Sequence, residues 1–154
     1  MSEIAKKIFS KDEIISLNKK YRVLKPIDRV IELYKDFSTE DVMLTSSFAA
    51  TSALLLKLFS DINKTQKIYF IDTGYHFKET LIYKEYLTQL YELNVENIKA
   101  EDYKHDFTQK EKTWENDPNM CCSINKVEPL DLLKKDFTVW ISGLMSWQSD
   151  HRES

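Results

Sequence analysis

Apolar residues along this chain recur in two rhythms. Ser10 followed by Glu13 forms a capping-box pattern, after which Ile14, Leu17 and Tyr21 return at helical spacing. Pro26 suits the first turn of a second helix, on which Ile27, Val30, Ile31, Tyr34 and Phe37 make one apolar stripe. Asp41–Ser46 then carries the continuous apolar run Val42-Met43-Leu44, the mark of a buried strand. It leads through Thr45-Ser46-Ser47 into a helix expected to bury Leu54, Leu55, Leu58, Phe59 and Ile62. Lys67–Ile71 is a second buried strand, closed by Asp72-Thr73-Gly74. A long helix follows, with Ile82, Tyr86, Leu90 and Leu93 on its face and Tyr83 and Leu87 beside them. Val95–Ala100 is a weaker third strand and Thr138–Ser142 a fourth, ending at Gly143.

Strands that are apolar on both faces and alternate with amphipathic helices predict an α/β fold, a parallel sheet sandwiched by helices. The 154 residues fit a single α/β domain, 1–154, with a helical segment over 1–39 and a core over 40–152. The polar stretch Glu101 to Pro118 is expected as a frayed helix or a surface loop over a site.

Composition narrows the chemistry. A formal charge of −3 offers no basic footprint for nucleic acid. No apolar run is long enough to span a bilayer, and a charged N-terminal stretch does not resemble a secretory signal, so the expected location is the cytoplasm. Two glycines in the whole chain, Gly74 and Gly143, exclude a Rossmann Gly-x-Gly-x-x-Gly and a Walker loop. Any phosphate site must use other backbone N–H groups, such as a serine-rich turn at a helix start. The two cysteines, Cys121 and Cys122, are adjacent, which suits reduced thiols or two soft metal ligands rather than a disulfide framework.

Three strands end in short polar or flexible residues: Thr45-Ser46-Ser47, Asp72-Thr73-Gly74 and Ser142-Gly143. Ligands of open α/β sheets bind at the carboxyl ends of the strands. Ser46 and Ser47 can offer hydroxyls and N–H groups to an anion, Asp72 can accept from a ribose or amine, and Gly74 allows φ > 0. Between Cys121 and Glu128, Lys126 can lower a thiol pKa or neutralise an anion; the alternative is a helix start with a solvated Lys126–Glu128 pair. Arg152, close to Trp147, can fork onto phosphate or sulfate. His76, His105 and His151 stand in no ligand spacing and are expected at the surface or in loops.

Taken in order, Ser46-Ser47-Phe48, Phe70-Ile71-Asp72-Thr73-Gly74-Tyr75-His76-Phe77-Lys78-Glu79-Thr80, Cys121-Cys122, Ile124-Asn125-Lys126-Val127-Glu128-Pro129-Leu130, and Gly143-Leu144 with Gln148-Ser149 and Arg152 resemble the adenylyl sulfate and 3′-phosphoadenylyl sulfate reductases of assimilatory sulfate reduction. The likeness implies a Rossmann-like fold of the adenine nucleotide α-hydrolase type. It implies substrate contacts from Ser46, Ser47, Phe48, Asp72, Thr73, Gly74, Lys126, Gly143 and Arg152, with Lys126 between a cluster and the substrate sulfate. Cys121 and Cys122 resemble half of the ligand set of a [4Fe–4S] cluster in the subgroup that prefers adenylyl sulfate.

The chain departs from the family at Ala49, where glycine is usual, and at Met145-Ser146, where arginines are. The family continues beyond Arg152 with a Cys-x-x-Cys pair and a Glu-Cys-Gly-Leu-His block, whose cysteine attacks sulfur, releases AMP and leaves a thiosulfonate that thioredoxin cleaves to sulfite. Neither block occurs here, so a truncated or partial form is expected, with adenylyl sulfate or 3′-phosphoadenylyl sulfate and AMP as ligands, thioredoxin as the partner of the full-length family, and a homo-oligomer left open. The alternatives are a non-catalytic adenine-nucleotide-binding module and an ATP pyrophosphatase, the latter disfavoured by the missing Ser-Gly-Gly-x-Asp-Ser.

Overall fold

The structure, a computed structural model, describes residues 7–144. Arg152, and with it Met145, Ser146, Trp147, Gln148, Ser149 and His151, lies outside the described residues.

Four parallel strands form one sheet: β1 (Val42–Thr45), β2 (Lys67–Ile71), β3 (Asn94–Ile98) and β4 (Val139–Ile141), in the order β3-β2-β1-β4. Leu44 pairs with Ile68 and with Ile141, and Ile71 with Ile98, so the carboxyl ends of all four strands share one edge of the sheet. The chain runs outward from β1 through β2 to β3, then returns to the other side of β1 as β4. That reversal places a topological switch point between β1 and β4, where neighbouring connections leave toward opposite faces and open a crevice.

The apolar run that marks β1 is buried throughout: Val42, Met43 and Leu44 are inaccessible on both faces, as a central parallel strand requires. The core gathers Leu44, Phe48, Leu56, Phe59, Ile68, Phe70 and Leu87, with Phe48 and Phe70 edge to face at 5.7 Å. Before the sheet come α1 (Lys11–Arg22), with the Ser10–Glu13 capping box formed in both directions, and α2 (Pro26–Asp36), with Pro26 in its first turn.

Packing corrects the stripes in detail. On α2 the buried residues are Val30 and Leu33, while Ile27 and Ile31 are exposed. On α3 (Ala53–Ile62), Leu56 and Phe59 face inward and Leu54 outward. On α4 (Lys78–Tyr91), Tyr83 and Leu87 pack on the core, whereas Ile82, Tyr86 and Leu90 are each more than half exposed. A four-strand sheet offers a narrow face, and each helix can seat only one of two adjacent stripes on it. Buried Lys84 completes the inner face of α4, its ammonium 3.0 Å from Asn97 Oδ1 on β3 and 5.0 Å from the Phe70 ring centroid.

The polar stretch after β3 is neither frayed nor a loop. It forms α5 (Asp102–Lys110) and α6 (Thr113–Asn116), held down by buried Thr108 and Thr113 rather than by apolar side chains, which is why hydropathy failed to reveal it. Then come α7 (Pro118–Cys122), a π-helical turn over Ser123–Val127, and α8 (Glu128–Leu133). Pro129 explains the widened turn. It has no N–H for the Asn125 carbonyl and its ring pushes that carbonyl away, and a π turn absorbs the misfit.

Candidate functional site

A cleft of ≈ 360 Å³ opens at the switch point. Its walls come from the ends of β1 (Thr45, Ser46, Ser47), β2 (Thr73) and β4 (Ser142, Gly143), and Lys126 reaches it from the π turn. Five of the sequence-derived site residues therefore meet in one place: Ser46, Ser47, Thr73, Lys126 and Gly143.

Local folding explains the arrangement. Ser46 N–H extends the β1–β2 ladder to the Tyr69 carbonyl at 3.1 Å, and Ser46 Oγ accepts from Phe48 N–H at 3.1 Å, closing a tight turn. Phe48 sits at φ 52°, a left-handed backbone conformation uncommon for a bulky residue, while its ring is locked in the core against Phe70. Phe48 thus shapes the serine turn from below, and its side chain does not line the cleft. Ala49 has φ −65° and ψ 159°, which any residue adopts, so alanine in place of glycine strains nothing there. The helix does not begin at the serines as the sequence suggested. A 3₁₀ turn, Ala50–Ser52, intervenes and α3 starts at Ala53, so Thr51 and Ser52 rather than Ser47 stand at the helix entrance and also line the cleft.

The Asp72-Thr73-Gly74 turn divides between two cavities. Thr73 faces the main cleft, whereas Asp72 and Gly74 line a smaller one of ≈ 190 Å³ with Lys99 and His105. Asp72 Oδ1 is engaged within the turn, accepting from Gly74 N–H at 3.0 Å, and Thr73 Oγ1 accepts from Tyr75 N–H at 3.3 Å. Gly74 adopts φ +74°, as the turn demanded.

Lys126 is exposed and forms no ion pair among the described residues. The expected alternative, a Lys126–Glu128 pair, is not formed: Glu128 binds Lys104 at 2.6 Å, and that contact holds the Lys104 ammonium above its ordinary pKa. Lys126 is left to offer positive charge to the cleft. Both cysteines lie outside the residues lining the cleft, with Cys121 buried and Cys122 exposed on the last turn of α7.

Besides Thr51 and Ser52, the cleft residues His76 and Trp140 were not singled out from the sequence. His76, half-buried, lies tilted against the Phe70 ring at 4.7 Å, and its Nε2 is 2.9 Å from the Ile71 carbonyl and 3.3 Å from Thr73 N–H. Trp140 Nε1–H donates to Thr45 Oγ1 at 2.8 Å across the β1–β4 boundary. Position in the fold was the available signal: Trp140 stands one residue before the carboxyl end of β4, and His76 lies in the turn that follows β2. His105 also corrects its expectation, being a half-buried helix residue rather than a loop residue.

Comparison with known proteins agrees with this geometry. The phosphoadenosine phosphosulfate reductase domain family matches residues 41–154. The chain belongs to that family. Among relatives of the reductase domain, adenosine 5′-phosphosulfate reductase of Mesorhizobium japonicum is 32% identical over 136 residues, which covers 86% of this chain and 53% of the relative. Adenosine 5′-phosphosulfate reductase 2 of Bacillus subtilis is 36% identical over 117 residues, covering 74% of this chain and 50% of the relative. The chain spans about half the length of the curated relatives it matches. A crystal structure of phosphoadenylyl-sulfate (PAPS) reductase from Candida auris, in a phosphate complex, shares the fold with a TM-score of 0.75 at 23% identity, covering 91% of this chain and 70% of that one.

The [4Fe–4S] cluster implied by the resemblance does not fit the donors present. The sequence holds two cysteines where a cubane takes four thiolates, and no group of three or more His, Cys, Asp or Glu that could hold a metal is assembled among the described residues. Likewise, no helix among the described residues is long and apolar enough to cross a membrane.

Proposed function

We propose that this reductase-family domain binds adenosine 5′-phosphosulfate or its 3′-phosphorylated form, and supplies the substrate-binding half of a reductase that yields sulfite and AMP with thioredoxin as the electron donor. The observation that carries this reading is the meeting of the serine turn, Thr73, Gly143 and Lys126, which has no ion-pair partner among the described residues, in a single cleft at the switch point of a parallel sheet. Ser46 and Ser47, with Thr51 and Ser52 at the entrance of α3, direct hydroxyls and N–H groups at a phosphate without the glycines that other phosphate loops need. Lys126 sets its charge against the sulfate, and Asp72, Thr73 and Gly74 form the turn beside the nucleoside. Gly143, with no Cβ, leaves the β4 rim open to the ligand. Arg152 is assigned the far anionic end by resemblance alone. Cys121 and Cys122 carry no nucleophilic role in this reading, because neither lines the cleft. The relatives named above support adenosine 5′-phosphosulfate as the donor, and a cytoplasmic location goes with that chemistry.

Titration calorimetry of the folded chain with adenosine 5′-phosphosulfate and with AMP tests the reading. Saturable binding of both is expected, weakened by Lys126→Ala for the sulfate ester; absence of heat with either ligand refutes it.

A further inference from the structure

Asn125 is 1% exposed, and every hydrogen-bonding atom of its side chain is engaged. Its Nδ2 donates to the Cys121 carbonyl and to Thr108 Oγ1, both at 3.1 Å, and lies 3.7 Å from Cys121 Sγ. A backbone carbonyl only accepts, so the amide orientation is fixed and Oδ1 must face His105 Nδ1, 2.8 Å away. That nitrogen therefore carries the proton, and His105 Nε2 accepts from the Gln109 amide at 3.1 Å. The Thr108 hydroxyl donates to the His105 carbonyl at 2.7 Å, which leaves Tyr75 OH to donate to Thr108 Oγ1 at 2.8 Å. Tyr75 follows the Asp72-Thr73-Gly74 turn, and the His105 ring lies so close over Gly74 that a Cβ there would meet Cε1 at 2.4 Å. One closed network thus bolts the turn at the end of β2, through α5, to the π turn in which Lys126 follows Asn125.

We propose that Asn125 is a positioning residue for Lys126. Through His105 and Thr108 it fixes the π turn against the Asp72–Gly74 turn, so that the amine facing the anion and the turn beside the nucleoside hold one spacing. Pro129 opens the helix at this point, and Asn125 closes it with side-chain bonds where a regular helix would use its backbone. The proposal rests on the functional reading above for its ligand, but not for the lock itself.

Two measurements test it. Without ligand, amide hydrogen exchange is compared between the wild-type chain and Asn125→Ala. Residues 123–127 are expected to exchange about tenfold faster while the amides of β1 and β2 are unchanged, because a buried polar network is lost locally. A long-range ¹H–¹⁵N spectrum of the wild type is expected to show His105 protonated on Nδ1. Should Asn125→Ala fail to fold, Tyr75→Phe removes one hydroxyl from the same network, with about threefold faster exchange over 123–127 expected. Unchanged exchange in the folded variant, or an Nε2-protonated His105, overturns the lock whether or not a nucleotide binds.

With adenosine 5′-phosphosulfate, affinities of Asn125→Ala, Lys126→Ala and the double variant form a cycle. Each single change is expected to weaken binding about tenfold, and the second to add less than about twofold once Lys126 is gone. Fully additive losses assign Asn125 a merely structural role and overturn the proposal. A wild type that binds no nucleotide refutes the functional reading while the exchange result still decides the lock.

Discussion

Replacing Gly74 by alanine sets two penalties against one gain. The backbone there has φ +74°, and holding a non-glycine residue in the left-handed region costs about 1–2 kcal/mol. The new Cβ would stand 2.4 Å from His105 Cε1 and 2.7 Å from Nε2, so the ring must move. Moving it breaks the bond from Nδ1 to Asn125 Oδ1 and strands a buried acceptor, a loss of about 1–3 kcal/mol. Against this, alanine restricts the unfolded chain and returns about 0.4–1 kcal/mol. The net expectation is destabilisation by about 2–4 kcal/mol, which for a chain of this length is a fall in Tm of roughly 6–12 °C. Urea and thermal unfolding monitored by circular dichroism measure it. Gly143→Ala is the control. Its Cβ would lie 3.7 Å from Leu55 in ordinary contact, and a change within about 0.5 kcal/mol is expected. Removing the obstacle sharpens the test: in a His105→Ala background the Gly74→Ala penalty should shrink to its backbone part, about 1 kcal/mol. A Gly74→Ala chain as stable as the wild type would refute the reasoning at its base, since both penalties follow directly from the turn's geometry.

Three further expectations follow from the same structure. Lys126→Ala should lower affinity for adenosine 5′-phosphosulfate about tenfold with little effect on Tm, measured by calorimetry and thermal melt, because its amine is exposed and has no ion-pair partner among the described residues. The 154-residue chain purified anaerobically should be colourless, since its two thiolates fall short of a cubane; a brown protein with iron and sulfide in stoichiometric amounts would show that other groups complete a cluster. Asp36 is held below its ordinary pKa of 3.8, first by the hydrogen bonds from Lys20 and further by Tyr21 O–H. A depressed carboxylate contributes stability that is present above its unfolded pKa and lost as pH falls through the folded one. Stability should therefore decline below about pH 4, and Asp36→Asn should flatten that decline in urea midpoints taken at pH 6 and pH 3.

The sheet was legible in the sequence because burial on both faces leaves a strong mark. Lys67–Ile71 was read with its observed bounds, and Asp41–Ser46 needed only its ends trimmed to Val42–Thr45. Helix faces were less legible, since Ile82, Tyr86 and Leu90 repeat as regularly as the residues that do pack. Only the width of the sheet chooses between the stripes. The helices after β3 were invisible to hydropathy, being anchored by Thr108, Thr113 and Asn125 through hydrogen bonds rather than by apolar area. The cleft was read from short residues at strand ends, and Ser46, Ser47, Thr73, Lys126 and Gly143 converge there. Asp72 turned toward the neighbouring cavity because its carboxylate closes its own turn, a local competition that residue type alone does not reveal.

The position of Lys126 shows how a weak sequence signal becomes a definite arrangement. In a regular helix Lys126 and Glu128, two residues apart, would stand about 200° apart around the axis and would not face each other. Pro129 has no N–H to offer the Asn125 carbonyl, and the turn just before it is π-helical, closed by Glu128 N–H on the Ser123 carbonyl. Glu128 then falls to Lys104 of α5, Asn125 enters the interior, and Lys126 is left facing the cleft without a carboxylate among the described residues to neutralise it. Cys121, one turn earlier, is drawn under the same amide. At this turn Asn125 is buried against Cys121, Glu128 is bound by Lys104, and Lys126 lines the cleft, so the Lys-Val-Glu-Pro block and the residue before it take up separate positions within one turn.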